Sequence, residues 1–195
     1  MGYSQAQKAE SRAKVLEVAA QKIRECGIDA LGVADCMRGA GLTHGAFYGH
    51  FESRDALIIE ALEQALERGD KRIDALANNA GKRSKTALQA IAESYLGEAH
   101  VANAGNGCAL CALAGEARHA NAATKALLTR HVHTLALRLA QAAGSTTEAE
   151  GLGIVATVIG AITLARAVDD PALARSILSS SIALILSQDH NKRTV

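Results

Sequence analysis

Pro171 is the only proline in the 195-residue sequence. Proline is the residue that breaks a helix outright, so nearly the whole chain is free to run in long helices. Alanine and leucine, both strong helix formers, are abundant, and no stretch alternates as a half-buried strand would. At roughly 100–200 residues per domain the length allows one domain or two small ones. With 49% hydrophobic residues and a formal net charge of +1, the chain is not of the disordered class, which combines low hydrophobicity with high net charge. The predicted fold is all-α, about nine helices, with no internal repeat.

Charge gives no simple argument for a nucleic-acid partner, because a strongly basic chain is what such an argument needs. Residues 1–58 hold seven Lys/Arg and seven Asp/Glu, a balance of zero. Any contact with DNA must therefore come from where charges sit. Of the charged residues, 25 fall in the first 85 positions and 16 in the last 110, so the C-terminal part is expected to bury more surface, including against a second copy. The N-terminal stretch MGYSQAQKAESRAK is polar and lacks the apolar centre of a secretory signal. The longest apolar run, Gly151 to Ala165, has 15 residues and ends at Arg166, which favours a buried helix over a membrane span. Four cysteines at unrelated spacings predict reduced thiols in a cytoplasm.

Periodicity and caps place the helices. The first is expected to begin near Ser4, whose spacing to Gln7 matches a capping box. It carries Leu16, Ala19, Ile23 and Cys26 on one face and closes at Gly27. Next comes a short helix over about 33–38, with Val33, Ala34 and Met37 facing inward. Gly39-Ala40-Gly41-Leu42 forms a turn, and Thr43 caps another short helix to about Phe51. Ser53 caps a long helix whose stripe is Leu57/Ile58, Ala61/Leu62, Ala65/Leu66, Ile73 and Leu76. Further helices are expected near 86–103, 108–118, 121–143, 148–167 and 172–188.

Three of the five aromatic residues, Phe47, Tyr48 and Phe51, lie within five positions. On a helical wheel Phe47 and Phe51 define a buried face. Gly45, Ala46 and Gly49 then point outward, flanked by Tyr48 and His50. A surface helix normally fills that face with long polar side chains. A bare one can press its backbone into a groove, and the major groove of DNA admits a helix. With the short helix and glycine turn before it, the segment reads as a helix-turn-helix. The plainer alternative makes the phenylalanines core and the glycines incidental.

Residues 12–62 resemble the DNA-binding domain of the tetracycline-repressor-like (TetR/AcrR) transcriptional regulators. The resemblance rests on the first helix ending in Gly27, on Val33-Ala34, and on the run from Ala40 to Leu57, AGLTHGAFYGHFESRDAL. It implies that Thr43 caps the recognition helix and reaches a phosphate, and that Tyr48, His50 and Arg54 grip the DNA backbone. His44, Gly45 and Ala46 are the candidates for base edges. Lys8, Arg12 and Lys14 either add phosphate contacts or are ordinary solvated charges. Gly49 departs from the basic or large residue the family often has there, which shifts weight toward DNA shape. The resemblance divides the chain into a DNA-binding domain at 1–52 and a helical ligand-binding and dimerisation domain at 53–195.

It further implies a double-stranded DNA operator, an unknown small-molecule effector, and a homodimer through the last two helices, with no cofactor, no catalytic residue and no membrane. Gly153 and Gly160 would permit close approach, and Ile177, Leu184 and Ile185 would interdigitate; alternatively both helices are internal. Tyr95, His131 and His133 are candidate polar groups of an effector pocket. Cys108 and Cys111 form a C-x-x-C with three readings: small buried residues, a redox- or electrophile-sensing pair, or a metal site with His100 or His119 that lacks a second cysteine pair. Cys26 and Cys36 read as core. A ligand-released repressor is the leading function. A thiol sensor, a thiol-redox enzyme using Cys108 and Cys111, and a helical interaction module are the alternatives.

Overall fold

The computed structural model describes residues 5–191. Among them are nine α-helices, four short 3-10 helices and no strand. The predicted cap at Ser4 lies outside the described residues. The N-terminal part consists of α1 (Gln5–Cys26), α2 (Val33–Gly39), a 3-10 helix over His44–Gly49, and the long α3 (Arg54–Asn79). The remainder is α4 (Ala87–Tyr95), α5 (Glu98–Ala102), α6 (Ala109–Leu113), α7 (Ala122–Ala142), α8 (Glu148–Ala167) and α9 (Pro171–Ser187). One connected apolar core runs from Val15 on α1 to Ile185 on α9.

The caps form where local residue chemistry dictates. Gly27 adopts φ +85°, and its amide donates to the Ile23 carbonyl at 3.0 Å, a left-handed stop that a Cβ would strain. Ser53 accepts from the Ala56 amide and Asn121 from the Thr124 amide, while Asp170 with Pro171 starts α9. On α1 the buried stripe is Val15, Ala19, Ala20 and Ile23, whereas Leu16 is only half-buried and Cys26 is exposed, so the expected core role of Cys26 does not hold.

Two expected helices are shorter than the periodicity suggested. The helix over 86–103 breaks at Leu96–Gly97, with Gly97 extended at the start of α5. A continuous helix would carry position 100 about 140° away from Tyr95; the break instead turns His100 into the core. There its Nε2 accepts from the Cys108 amide at 3.1 Å, and its ring meets Tyr95 edge-on, centroids 4.8 Å apart. The helix over 108–118 lasts only from Ala109 to Leu113 and stops just before Gly115.

α8 is longer than the 15-residue apolar run, because Glu148 and Glu150 in its first turn and Arg166 in its last extend it to 20 residues. It is the one described helix long and apolar enough to cross a membrane by length and composition. In the fold it buries Gly151, Ile154, Val155, Val158, Ala161, Ile162 and Ala165 and packs against α6, α7 and α9. At Gly151 the two backbones touch: a Cβ there would lie 1.8 Å from the Ala136 carbonyl oxygen of α7.

Thermal and chemical denaturation should separate two glycines of α8. Gly151→Ala should destabilise the fold by about 3 kcal/mol or more, since α7 and α8 must part. Gly160→Ala, where nothing lies within 4 Å of the added methyl, should leave the protomer unchanged or stabilise it by about 0.5–1 kcal/mol. Burial, with Arg72 and Arg166 nearby, pushes the His100 imidazolium down to about 4, against 6.5 for the unperturbed ring. His100 therefore adds no pH dependence above about 6.5 and withdraws up to about 3 kcal/mol of stability as pH falls from 6.5 to 4. The difference between wild type and His100→Gln across that window isolates this effect.

Candidate functional site

The turn between α2 and the next element is fixed by two backbone bonds. The Leu42 amide donates to Met37 O at 2.9 Å and the Gly41 amide to Arg38 O at 3.0 Å, with Gly41 at φ +74°. This double closure ends α2 and redirects the chain away from its axis. Inside, Cys36 and Met37 are buried and Val33 half-buried, whereas Ala34, expected to face inward, is exposed.

The element beyond the turn is a 3-10 helix rather than the expected α-helix. Its bonds include Ala46 N to Thr43 O and His50 N to Phe47 O, and residues three apart stand in rows. Ala46 and Gly49 share such a row. Phe47 and Phe51 are buried as expected, stacked with centroids 5.7 Å apart. Gly45 and Gly49 face open space, with no atom within 4 Å of a built Cβ, and Tyr48 is 77% exposed. Thr43 occupies the N-cap position, but its hydroxyl makes no capping bond, which corrects that expectation and leaves the residue exposed.

Ala46, Gly49 and His50 floor a groove of about 360 Å³ whose other wall is Lys8 and Ser11 of α1. Partial burial, with Lys8 and Arg12 nearby, lowers the His50 imidazole, so it is a neutral ring near pH 7. Ser11 was not among the residues the sequence singled out; its place about one helical turn beyond Lys8 on α1 is the signal that points to it.

Two arginines turn inward. Arg12 donates to the His50 carbonyl at 3.3 Å, pairs with Glu60, and lies 4.8 Å over the Phe51 ring. Arg54 donates to the carbonyls of Ile28, Asp29 and Leu31 at 2.7, 3.1 and 2.9 Å. Its guanidinium thus clamps the α1–α2 connection to the start of α3. Lys14 pairs with Glu10 on the exposed side of α1.

The C-terminal candidates separate into two places. Tyr95, Cys108 and Cys111 line one enclosed apolar cavity with Ile73, Ile91 and Val158, but its free space is only about 20 Å³. Burial pushes the Tyr95 phenol well above its ordinary range, and its hydroxyl donates to Gly69 O at 3.4 Å. His133 instead sits on the rim of an open groove of about 580 Å³ between α6, α7 and α8, with its Nδ1 2.5 Å from Glu148. The groove and the cavity share Leu110, Val155 and Ile159. His131 lies apart, 3.9 Å from Asp70.

Among the described residues no group of three or more His, Cys, Asp or Glu converges on a metal position. His100 is engaged by the Cys108 amide and His119 by Arg118. The C-x-x-C lies between helical segments, not beside the strand of a strand–helix unit. On the last two helices Leu152, Leu164, Leu173 and Leu184 are exposed and Gly153 and Gly160 open. Ile185 is fully buried inside the protomer, so it cannot interdigitate with another copy.

Comparison with known proteins accounts for this geometry. Residues 15–61 match the family model described as bacterial regulatory proteins, tetR family. No curated protein matches the chain. Among solved structures, a TetR-family transcriptional regulator from Cytophaga hutchinsonii is similar over 97% of this chain and 99% of its own, at 19% identity and a TM-score of 0.77. A TetR transcriptional regulator from Chloroflexus aurantiacus is 18% identical, covering 94% of this chain and 96% of its own, with a TM-score of 0.76. One from Streptomyces coelicolor is 25% identical over 93% of this chain and 96% of its own, with a TM-score of 0.65. Residues 15–61 thus carry the DNA-binding segment of the tetR family of bacterial regulatory proteins, and the fold is shared with TetR-family regulators along nearly the whole chain, which supports a DNA-binding regulator of transcription.

Proposed function

We propose that the protein is a ligand-released repressor that binds a palindromic operator as a homodimer in the cytoplasm. The observation that carries this reading is the exposed edge of the 3-10 helix, where two buried phenylalanines turn two glycines and Tyr48 to solvent. His44, Gly45 and Ala46 are assigned to base edges, and Thr43, Tyr48, His50 and Lys8 to phosphates. Arg54, drawn inward, is assigned a positioning role: it holds the α1–α2 connection from which the reading element hangs.

The partner protomer is assigned to the exposed face of α8 and α9. Four of the six large apolar side chains exposed among the described residues lie on these two helices. Dimerisation there would bury them in a four-helix contact and set two reading heads one helical turn of DNA apart, roughly 34–36 Å, or a multiple of it. The effector is assigned to the open groove beside α8, an apolar small molecule that would enlarge the enclosed cavity by parting α6 from α8. Tyr95, Cys108 and Cys111 stand at the inner end of that path and His133 at its mouth. A ligand with different affinity for two head spacings shifts the population between them and releases the operator.

Selection from random duplexes with footprinting of the winners tests the reading; a symmetric pair of half-sites supports it, and no duplex retained at low salt overturns it. If each protomer engages about four phosphates, log affinity should fall with log salt at a slope near −7. Gly45→Leu should abolish binding with thermal stability unchanged, because a Cβ at this exposed position meets no protein atom within 4 Å. Gly49→Lys should tighten binding to all sequences and steepen the salt slope by about 2 for the dimer.

Sedimentation tests the dimer. Wild type should run at twice 20.2 kDa, and the double variant Leu164→Glu/Leu184→Glu as a folded monomer with unaltered helix content. A wild-type monomer at micromolar concentration would remove the proposed interface.

A further inference from the structure

Cys108 and Cys111 are one turn apart at the start of α6, where the Ala112 amide donates to Cys108 O at 3.2 Å. Both line the enclosed cavity. Only Cys108 has a second outlook. It ends a separate cleft of about 280 Å³ between α3 and the 106–108 loop, walled by Arg68, Gly69, Arg72 and Tyr95. Cys108 thus closes the end of an arginine-lined cleft, and Cys111, which does not line that cleft, faces the cavity with it.

The same loop is seated on α1. Arg24, 5% exposed, donates from Nε to the Gly105 carbonyl at 2.6 Å. Gly105 lies so close under Glu25 that a Cβ would sit 2.3 Å from its carboxylate. On the far side of the cysteine pair, the Glu116 carboxylate covers Gly27 at the end of α1. Residues 105–116 therefore touch the last turn of α1 on both sides of the two thiols.

We infer that Cys108 and Cys111 form a reversible dithiol–disulfide switch, oxidised by a hydroperoxide entering past Arg68 and Arg72 and read out by α1 through the Arg24–Gly105 bond. Cys108 attacks the terminal peroxide oxygen and the O–O bond breaks. The leaving alkoxide takes a proton to become an alcohol, and Cys108 becomes a sulfenic acid. Cys111 then attacks that sulfur, water leaves, and the disulfide forms; two thiols have lost two electrons and the peroxide has gained them. A small dithiol reverses the change by exchange. The proton Cys111 offers stabilises the Cys108 thiolate, pulling that thiol below its ordinary range and pushing Cys111 above it. Closing the sulfurs draws in the Cys108 end of the loop, displacing Gly105 and the Arg24 bond. The DNA response rests on the operator-binding reading above; the thiol chemistry does not.

The full chain, reduced, is treated with cumene hydroperoxide and monitored by thiol titration, peptide mass mapping and operator affinity. Wild type should lose two of its four thiols, with Cys108 and Cys111 joined, and its duplex affinity should change by about tenfold and return with dithiothreitol. Cys111→Ser should trap a Cys108 sulfenic acid as a dimedone adduct, and Cys108→Ser should yield neither adduct nor disulfide. Arg24→Met should still form the disulfide but lose the change in affinity, while Arg24→Lys keeps it. Oxidation confined to Cys26, or a wild-type disulfide that leaves operator affinity untouched, overturns the switch. Failure of the reduced protein to bind any duplex defeats the operator-binding reading, while the mapped disulfide still stands or falls by itself.

Discussion

The fold depends on α3 serving both ends of the one core with a single apolar stripe. Leu57, Ile58, Ala61 and Leu62 lie in its first half, where it packs along α1; farther along, Ile73 lines the enclosed cavity with residues of α4, α6, α7 and α8. At 1.5 Å per residue its 26 residues span about 39 Å, so it joins the helix-turn-helix to the helices around the cavity without a flexible joint. A rigid rod transmits rotation as well as translation. Arg54 at its start and Arg138 of α7, paired with Asp74 near its end, fix it at both extremes.

On the operator-binding reading proposed above, a neutral segment has to meet a polyanion. Arg12, Arg24 and Arg54 hold carbonyls, and Arg12 an aromatic ring as well, so three of the seven basic residues in the first 58 are internal struts. The groups left outward are sparse: Lys8 at the groove wall, an exposed phenol, a neutral imidazole and bare backbone. On that reading close approach replaces charge density, which a count of charges does not register.

Caps and stripes were legible because they are local. Gly27, Ser53, Asn121 and Pro171 each impose a stop or start through their own backbone chemistry, and α3 buries the residues its period marks. The helix-turn-helix was legible for the same reason. The break at Gly97 was not, because the gain from turning His100 toward the Cys108 amide involves a residue eight positions away. Nor was the inward turn of Arg54, whose acceptors lie 23 to 26 residues upstream. The 3-10 winding of His44–Gly49 escaped a wheel drawn at α-helical pitch, although both windings bury the two phenylalanines.

The vacant space over Gly45 and Gly49 has an evolutionary reading. Most surfaces that recognise a partner are constrained twice, once by the partner and once by neighbours in their own fold. Here the second constraint is missing, so substitutions at these two positions can alter what the surface meets while foldedness stays intact. Under the proposed operator reading, a duplicated copy would diverge in target by drift at two codons.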